Sequence, residues 1–156
     1  MNSTVTIRAA TRSDLPEVVA LWQEHQEFHA QCDPYFERSS NPNPGFLNFL
    51  QEDLDNLGLF VAQVETRIVG FILGEITSRP PCFASIEYGI INDLAVTAEW
   101  RRKGIGKLLV EKGMNWFTEK GIHRIEARVL MSNSLASNFW HKAGFDPYME
   151  TVYKVV

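Results

Sequence analysis

Apolar positions change their period several times along this chain, and each change marks an element. Residues 5–9, Val-Thr-Ile-Arg-Ala, alternate and predict a short strand. From residue 15 the spacing becomes three and four, so that Leu15, Val18, Trp22, His25 and His29 form one helical stripe. Ser13 stands where an N-cap is expected, and Pro16 falls in the first turn, where its missing N–H costs nothing. Asp33-Pro34 ends the helix. Residues 39–45, Ser-Ser-Asn-Pro-Asn-Pro-Gly, read as a loop, and 46–56 as a second helix with Phe46, Phe49 and Leu50 on one face. Residues 59–64 and 68–76 predict a hairpin turning at Glu65-Thr66, and Arg79-Pro80-Pro81 breaks the pattern. The apolar run at 88–96 predicts a central, buried strand. A helix follows at 104–120 with Ile105, Leu108, Leu109, Trp116 and Phe117 inward, stopped by Gly121. Residues 124–130 then predict a strand, 134–143 a helix capped by Gly144, and 151–156 a terminal strand.

The order is therefore strand, two helices, a β-meander, then βαβαβ: an α+β (mixed α/β) fold, with a helical crossover joining the strands at 88–96 and 124–130. Composition narrows the class. A chain of 156 residues with 45% hydrophobic and 22% charged residues fits one globular domain, residues 1–156. Aromatics at 12% exclude a disordered chain. No apolar stretch approaches the about 20 residues that cross a bilayer, and the N-terminus has no apolar signal region, so a cytoplasmic, non-membrane protein is expected. Cys32 and Cys82 stand far apart, outside any Cys-x-x-Cys, and read as two reduced thiols.

Charge divides the chain. Residues 1–60 carry nine acids and three bases, residues 61–156 ten acids and twelve bases. Arg101, Arg102, Lys103 and Lys107 cluster with no acid between them. Such a split suits an anionic ligand beside a cationic one, or is ordinary surface scatter. The net charge of −4 and the lack of an aromatic-basic stripe argue against a nucleic-acid partner.

The basic cluster lies where a buried strand gives way, through a glycine-rich turn, to an amphipathic helix. Free N–H groups at a helix start, its dipole and close backbone approach at glycine together make an anion site suited to phosphates. Two phosphate motifs fail here. Gly106-Lys107 is followed by Leu108, not Ser or Thr, and Leu109 takes the third glycine's place of a dinucleotide fingerprint. What remains is Arg101-Arg102-Lys103-Gly104-Ile105-Gly106.

That string resembles the Arg/Gln-x-x-Gly-x-Gly/Ala signature of the GNAT superfamily of acyl-CoA-dependent N-acetyltransferases. The resemblance extends upstream to Ile91-Asn92-Asp93-Leu94-Ala95-Val96 and downstream to residues 133–145, which look like the family's Asn-x-x-Ala-x-x-Phe-Tyr-x-x-x-Gly-Phe segment. It implies a central mixed, mostly antiparallel sheet with helices on both faces, and acetyl-CoA as co-substrate. In similar proteins Arg101, Arg102, Lys103, Gly104, Ile105, Gly106 and Lys107 would surround the pyrophosphate, with the N–H groups from Arg102 onward holding it. Leu94, Ala95 and Val96 would pair with the pantetheine arm as with an added strand. Asn133 would bond that arm, and Ala136, Phe139 and Trp140 would lie beside it. The implied reaction is direct transfer of acetyl to an amine, with no acyl-enzyme.

Trp140 departs from the family's tyrosine. An indole is no usable acid, so another group protonates the leaving thiolate or it leaves as the anion, feasible for a thiol of pKa near ~8.5. Tyr88 and Tyr148 are the substitutes. The base is open among Glu75, Asn92, Asp93, Glu87 and the histidines, and strand alternation points Asp93 away from Asn92. His25 and His29 share one helix face, either lining an acceptor pocket or standing as core residues. Without a His-Glu-x-x-His or a fourth ligand, no metal is expected. The acceptor implied is a small cationic amine, matched to the acidic first half. The alternatives are a protein or peptide acceptor, or an acyl-CoA-binding module without turnover. The terminal strand at 151–156 leaves room for a homodimer.

Overall fold

The computed structural model describes residues 4–37 and 45–156. The loop expected at 39–45 falls outside these residues except for Gly45, which opens a helix. In chain order the elements are β1 (Val5–Ala9), α1 (Leu15–Cys32), α2 (Gly45–Asp53), β2 (Gly58–Val64), β3 (Arg67–Ser78), β4 (Glu87–Val96), α3 (Ile105–Glu119), β5 (Ile125–Ala127) and α4 (Ser134–Lys142), with short 3₁₀ turns between some of them.

The strands form one sheet in sequence order. β1 through β4 pair antiparallel, and β5 lies parallel to β4, as a helical crossover requires. Both faces are covered, so Ile68–Leu73 of β3 is apolar at nearly every position and buried throughout. Alternation sorts its side chains. Phe71 and Leu73 meet Leu15, Val18 and Leu50 of α1 and α2, whereas Ile72 joins Ile105, Leu109 and Phe117 of α3. A Cβ at Gly74 or Gly89 would come within 2.8 or 2.5 Å of the Phe117 ring, so only glycine lets α3 lie this close to β3 and β4.

Several expectations are corrected. Ser13 is not the cap of α1. Thr11 opens a 3₁₀ turn whose Asp14 carboxylate accepts from the Thr11 N–H (2.7 Å) and from both terminal nitrogens of Arg8 (2.7 and 2.8 Å). That pairing holds the Asp14 carboxyl far below the usual carboxylate range. Leu108 points outward and is 43% exposed. β5 is three residues rather than seven, and residues 151–156 form no strand but an exposed segment without regular secondary structure. Among the described residues, no helix is long and apolar enough to cross a membrane.

Candidate active site

The turn after β4 is built for an anion. Arg102 (φ 63°) and Gly104 (φ 82°) both take left-handed conformations, the second directly before α3 begins at Ile105. Left-handed residues among right-handed ones turn successive N–H groups to the same side, forming a concave nest. At the start of α3 these groups have no intrahelical partner. A Cβ at Gly106 would stand 3.1 Å from the Phe139 ring, so glycine keeps the first turn of α3 bare where α4 approaches. Arg101 donates to the Val96 carbonyl (2.9 Å), while Arg102 and Lys103 stay exposed, Lys103 lying over the Trp100 ring. Below the turn, the buried Thr97 hydroxyl has no hydrogen-bond partner among the described residues. Spare donors, two local cations and an orphaned hydroxyl fit a phosphate-bearing ligand.

The strand beside this turn is open. β5 pairs with β4 only at Gly89, Ile90 and Ile91, so the Leu94–Ala95–Val96 stretch has no β5 partner. The two strands part just where an extended ligand arm would need an edge. Asn133, buried across the gap, caps α4 by accepting from Ala136 N (3.0 Å). Phe139 and Trp140 follow on α4, and Trp140 is wedged between Phe139 and Phe145 with ring centroids 5.3 and 4.9 Å away. Its indole fills space between helix and tail.

The third feature depends on a break in register. Leu73 of β3 pairs with Asp93, but the next residue, Gly74, pairs with Ile91, so Asn92 is an extra residue bulged out of β4. Alternation should place Asp93 and Asn92 on opposite faces. The bulge removes that alternation. Asp93 now sits across from Leu73 on the α1 face, while Ile91 remains in the α3 core. Glu75 also faces α1, and the Asn92 amide donates to its carboxylate. Gln26 of α1 reaches Asp93 at 3.4 Å. Glu75, Asn92 and Asp93 thus form one cluster, to which α2 adds the charge of Asp53. Burial first, then the neighbouring Glu75 charge, raises the Asp93 carboxyl to about 6. Burial, then Asp53, raises Glu75 as well. Neither Gln26 nor Asp53 carries a local sequence signal. Only the packing of α1 and α2 on the sheet brings them here.

The histidines lie toward the other end of the strand. His25 borders a small cleft with Ala95, Val96, Thr97 and Arg101, beside the anion turn. Its ring stands 4.2 Å from that of His29. Burial, His29 and Arg101 together push His25 down to about 4, so it is neutral at physiological pH. The two candidate tyrosines are engaged elsewhere: Tyr88 lies under the Arg79 guanidinium, and Tyr148 donates to Glu126 (2.8 Å).

A turn suited to an anion, a strand parted from its neighbour and a half-buried carboxylate cluster beside the parting lie together along β4. Residues 18–145 match the model of the Acetyltransferase (GNAT) family, and the chain belongs to that family. That family is one of acetyltransferases. An uncharacterised N-acetyltransferase of Methanocaldococcus jannaschii is 26% identical over 92% of this chain, and the chain spans only 61% of that protein's length. The fold also matches a tetramutant of the BH1408 protein of Bacillus halodurans (TM-score 0.84, 24% identity, 97% of this chain and 99% of that one). It likewise matches the aminoglycoside N-acetyltransferase AAC(6')-Iy, solved with CoA (TM-score 0.78, 19% identity, 100% and 97%).

Proposed function

We propose that this domain acetylates a small cationic amine, which docks at the Glu75–Asn92–Asp93 cluster with Asp93 as the proton acceptor. The observation that carries this reading is the bulge at Asn92, which turns the half-buried Asp93 toward α1, beside Glu75 and the unpaired part of β4, with no ion pair to either carboxylate among the described residues. Two acids held near one another attract an ammonium group. A carboxyl raised to about 6 is also a stronger base than an ordinary aspartate, yet still ionised at neutral pH. A primary amine of pKa near ~10 arrives protonated and must lose its proton before it can attack.

The turn from Arg101 to Lys107 would hold the pyrophosphate of the donor, and Leu94–Val96 would line its arm. The amine nitrogen attacks the thioester carbonyl carbon as its proton passes to Asp93, directly or through one water. The N–C bond forms, the C–S bond breaks, and the sulfur leaves with the electron pair as thiolate. Trp140 supplies no proton to it. The fold neighbour that acetylates an aminoglycoside supports a polar amine as acceptor.

The test compares Asp93→Asn with wild type over a panel of polyamines, aminoglycosides and short peptides, measuring turnover and, separately, acetyl-CoA affinity by calorimetry. The expected result is turnover on a free amine, a large loss in kcat for the variant and unchanged acetyl-CoA affinity. Full turnover by Asp93→Asn, or acetylation of peptides alone, overturns the reading.

A further inference from the structure

Beyond the acid cluster, on the same face of the sheet, lies a cavity of about 430 Å³ that the transfer of acetyl does not use. Arg79, Phe83, Glu87, Tyr88, Arg124 and Tyr148 line it. A Cβ at Gly89 points at Phe117, so Tyr88 and Ile90 on either side point to the opposite face, that of α1. Ile90 pairs with Glu75 and Tyr88 with Thr77, so the cavity starts one alternate position beyond the acid cluster.

Its chemistry is the reverse of the cluster's. The Arg79 guanidinium stacks on Tyr88 (4.2 Å) and that of Arg124 on Tyr148 (4.4 Å). Both converge on one carboxylate, Glu126, which accepts from Arg79, from Arg124 Nε (3.2 Å) and from the Tyr148 hydroxyl (2.8 Å). Each guanidinium carries five N–H donors. Among the described residues, the two terminal nitrogens of Arg124 make no hydrogen bond, and Arg79 is held by Glu126 through Nη2 and by the Tyr148 oxygen, which leaves other donors of its fork free. Glu126 satisfies one of the two positive charges. Glu87 at the rim is exposed, so solvent screens its charge. The tyrosine rings hold the guanidiniums flat, and a planar fork held in place is what a carboxylate or phosphate oxygen pair binds best.

We propose that this cavity is an anion subsite for the far end of the acceptor, whose reacting amine lies at Asp93. The proposal rests on the acceptor reading above. From Tyr88 to Asp93 is five residues of strand, one of them taken up by the bulge, which leaves roughly 13 Å at 3.3 Å per residue. The acceptor class is therefore an elongated zwitterion: a primary amine at one end, a carboxylate or phosphate about 10 Å away, and an apolar middle over Ile90 and Phe83. A free α-amino acid is too short to fill both sites.

Matched acceptors test this. Aminooctanoate and octylamine differ by the carboxylate alone. Wild-type protein with acetyl-CoA should favour aminooctanoate by about tenfold in kcat/KM, chiefly through KM, and Arg124→Gln should bring the ratio close to one. Arg124→Lys, which keeps the charge and loses the fork, should retain part of it. A glutamate-bearing tetrapeptide beside its glutamine form shows whether a peptide can supply the same anion. Equal use of octylamine and aminooctanoate by wild type, or a preference that survives Arg124→Gln, overturns the subsite and leaves the acceptor reading standing. Octanoate, which has the anion but no amine, gives a readout independent of turnover. It should shift the NMR signals around Arg124 and Tyr148 in wild type and not in Arg124→Gln. If it binds elsewhere or not at all, the subsite falls even if no amine is turned over.

Discussion

Two carboxylates stand on the same face of the sheet, Glu126 beside Ile90 and Asp93 three positions further along β4, and their surroundings are opposite. Glu126 is met by two guanidiniums and a phenol. Burial alone would raise its carboxyl, but the hydrogen bonds from Tyr148 and Arg124 and the charge of Arg79 carry it below its ordinary value. Asp93 is met by an amide at 3.4 Å and by another acid, and is raised to about 6. The first arrangement favours the ionised form and ties β3, β5 and the tail together. The second disfavours it, and on the function proposed above it leaves Asp93 as the base for the acceptor's ammonium group. A buried carboxylate the fold has not neutralised costs stability, and that cost marks it as a site.

The sharpest break of this contrast is functional. Replacing Asp93 by Asn should lower kcat by about 10²–10⁴-fold, the range for loss of a positioned general base. Steady-state kinetics at saturating acetyl-CoA measures it, and a loss below a few-fold would make Asp93 no more than a neighbour. The same substitution should act oppositely on stability. Because the folded-state pKa is raised, the folded protein disfavours the carboxylate at neutral pH. Asn in its place should stabilise by up to about 3 kcal/mol, from two pH units at 1.36 kcal/mol each. The gain should be full above about pH 6 and fade as pH falls toward the unfolded value of ~3.9, which thermal melts across that range will show. At Glu126 the sign reverses. Glu126→Gln should destabilise by about 1–2 kcal/mol at pH 7, since it weakens charge-assisted bonds and strands two guanidiniums. Its contribution is present above the unfolded pKa and disappears as pH falls through the lowered folded value. The smallest effect is in the pH–rate profile: kcat/KM should fall tenfold per unit below about pH 6 as Asp93 takes up its proton, and this limb should vanish in Asp93→Asn.

The legible parts of the molecule are those written in contiguous residues. The apolar run of β4, the stripe of α1 and the turn from Arg101 to Gly106 each declare themselves locally, and the structure places them near the expected bounds. The misread parts depend on partners distant in the chain. Ser13 has the right chemistry for a cap, but Asp14 wins because Arg8, on a strand, supplies the countercharge. Leu108 fits the helical period and still points outward, because the helical period marks a stripe and not its edges, which only packing sets. Residues 151–156 have strand composition and no strand beside them to pair with. Asp93 is the instructive case. Period-two alternation holds on each side of Asn92 and fails across it, and nothing in Ile-Ile-Asn-Asp-Leu announces the extra residue. Gln26 and Asp53 reach the cluster only through helix packing.

That extra residue also acts as a phase slip in β4. Upstream of Asn92 the strand is read in one frame against the two cores, and downstream in the other. The half that carries Tyr88 and Ile90 and the half that leads into the turn from Arg101 to Lys107 therefore keep separate frames. Deleting Asn92 alone would restore one frame throughout and leave both halves in place: Asp93 would follow Ile91 directly and still face α1, with Leu94 and Val96 still on the α3 side. Pairing β4 without the bulge while keeping Asn92 is what would turn Asp93 toward the rings of α3 or rotate the half that carries Leu94 and Val96. In a strand of ten residues, one position separates the chemistry of its two ends.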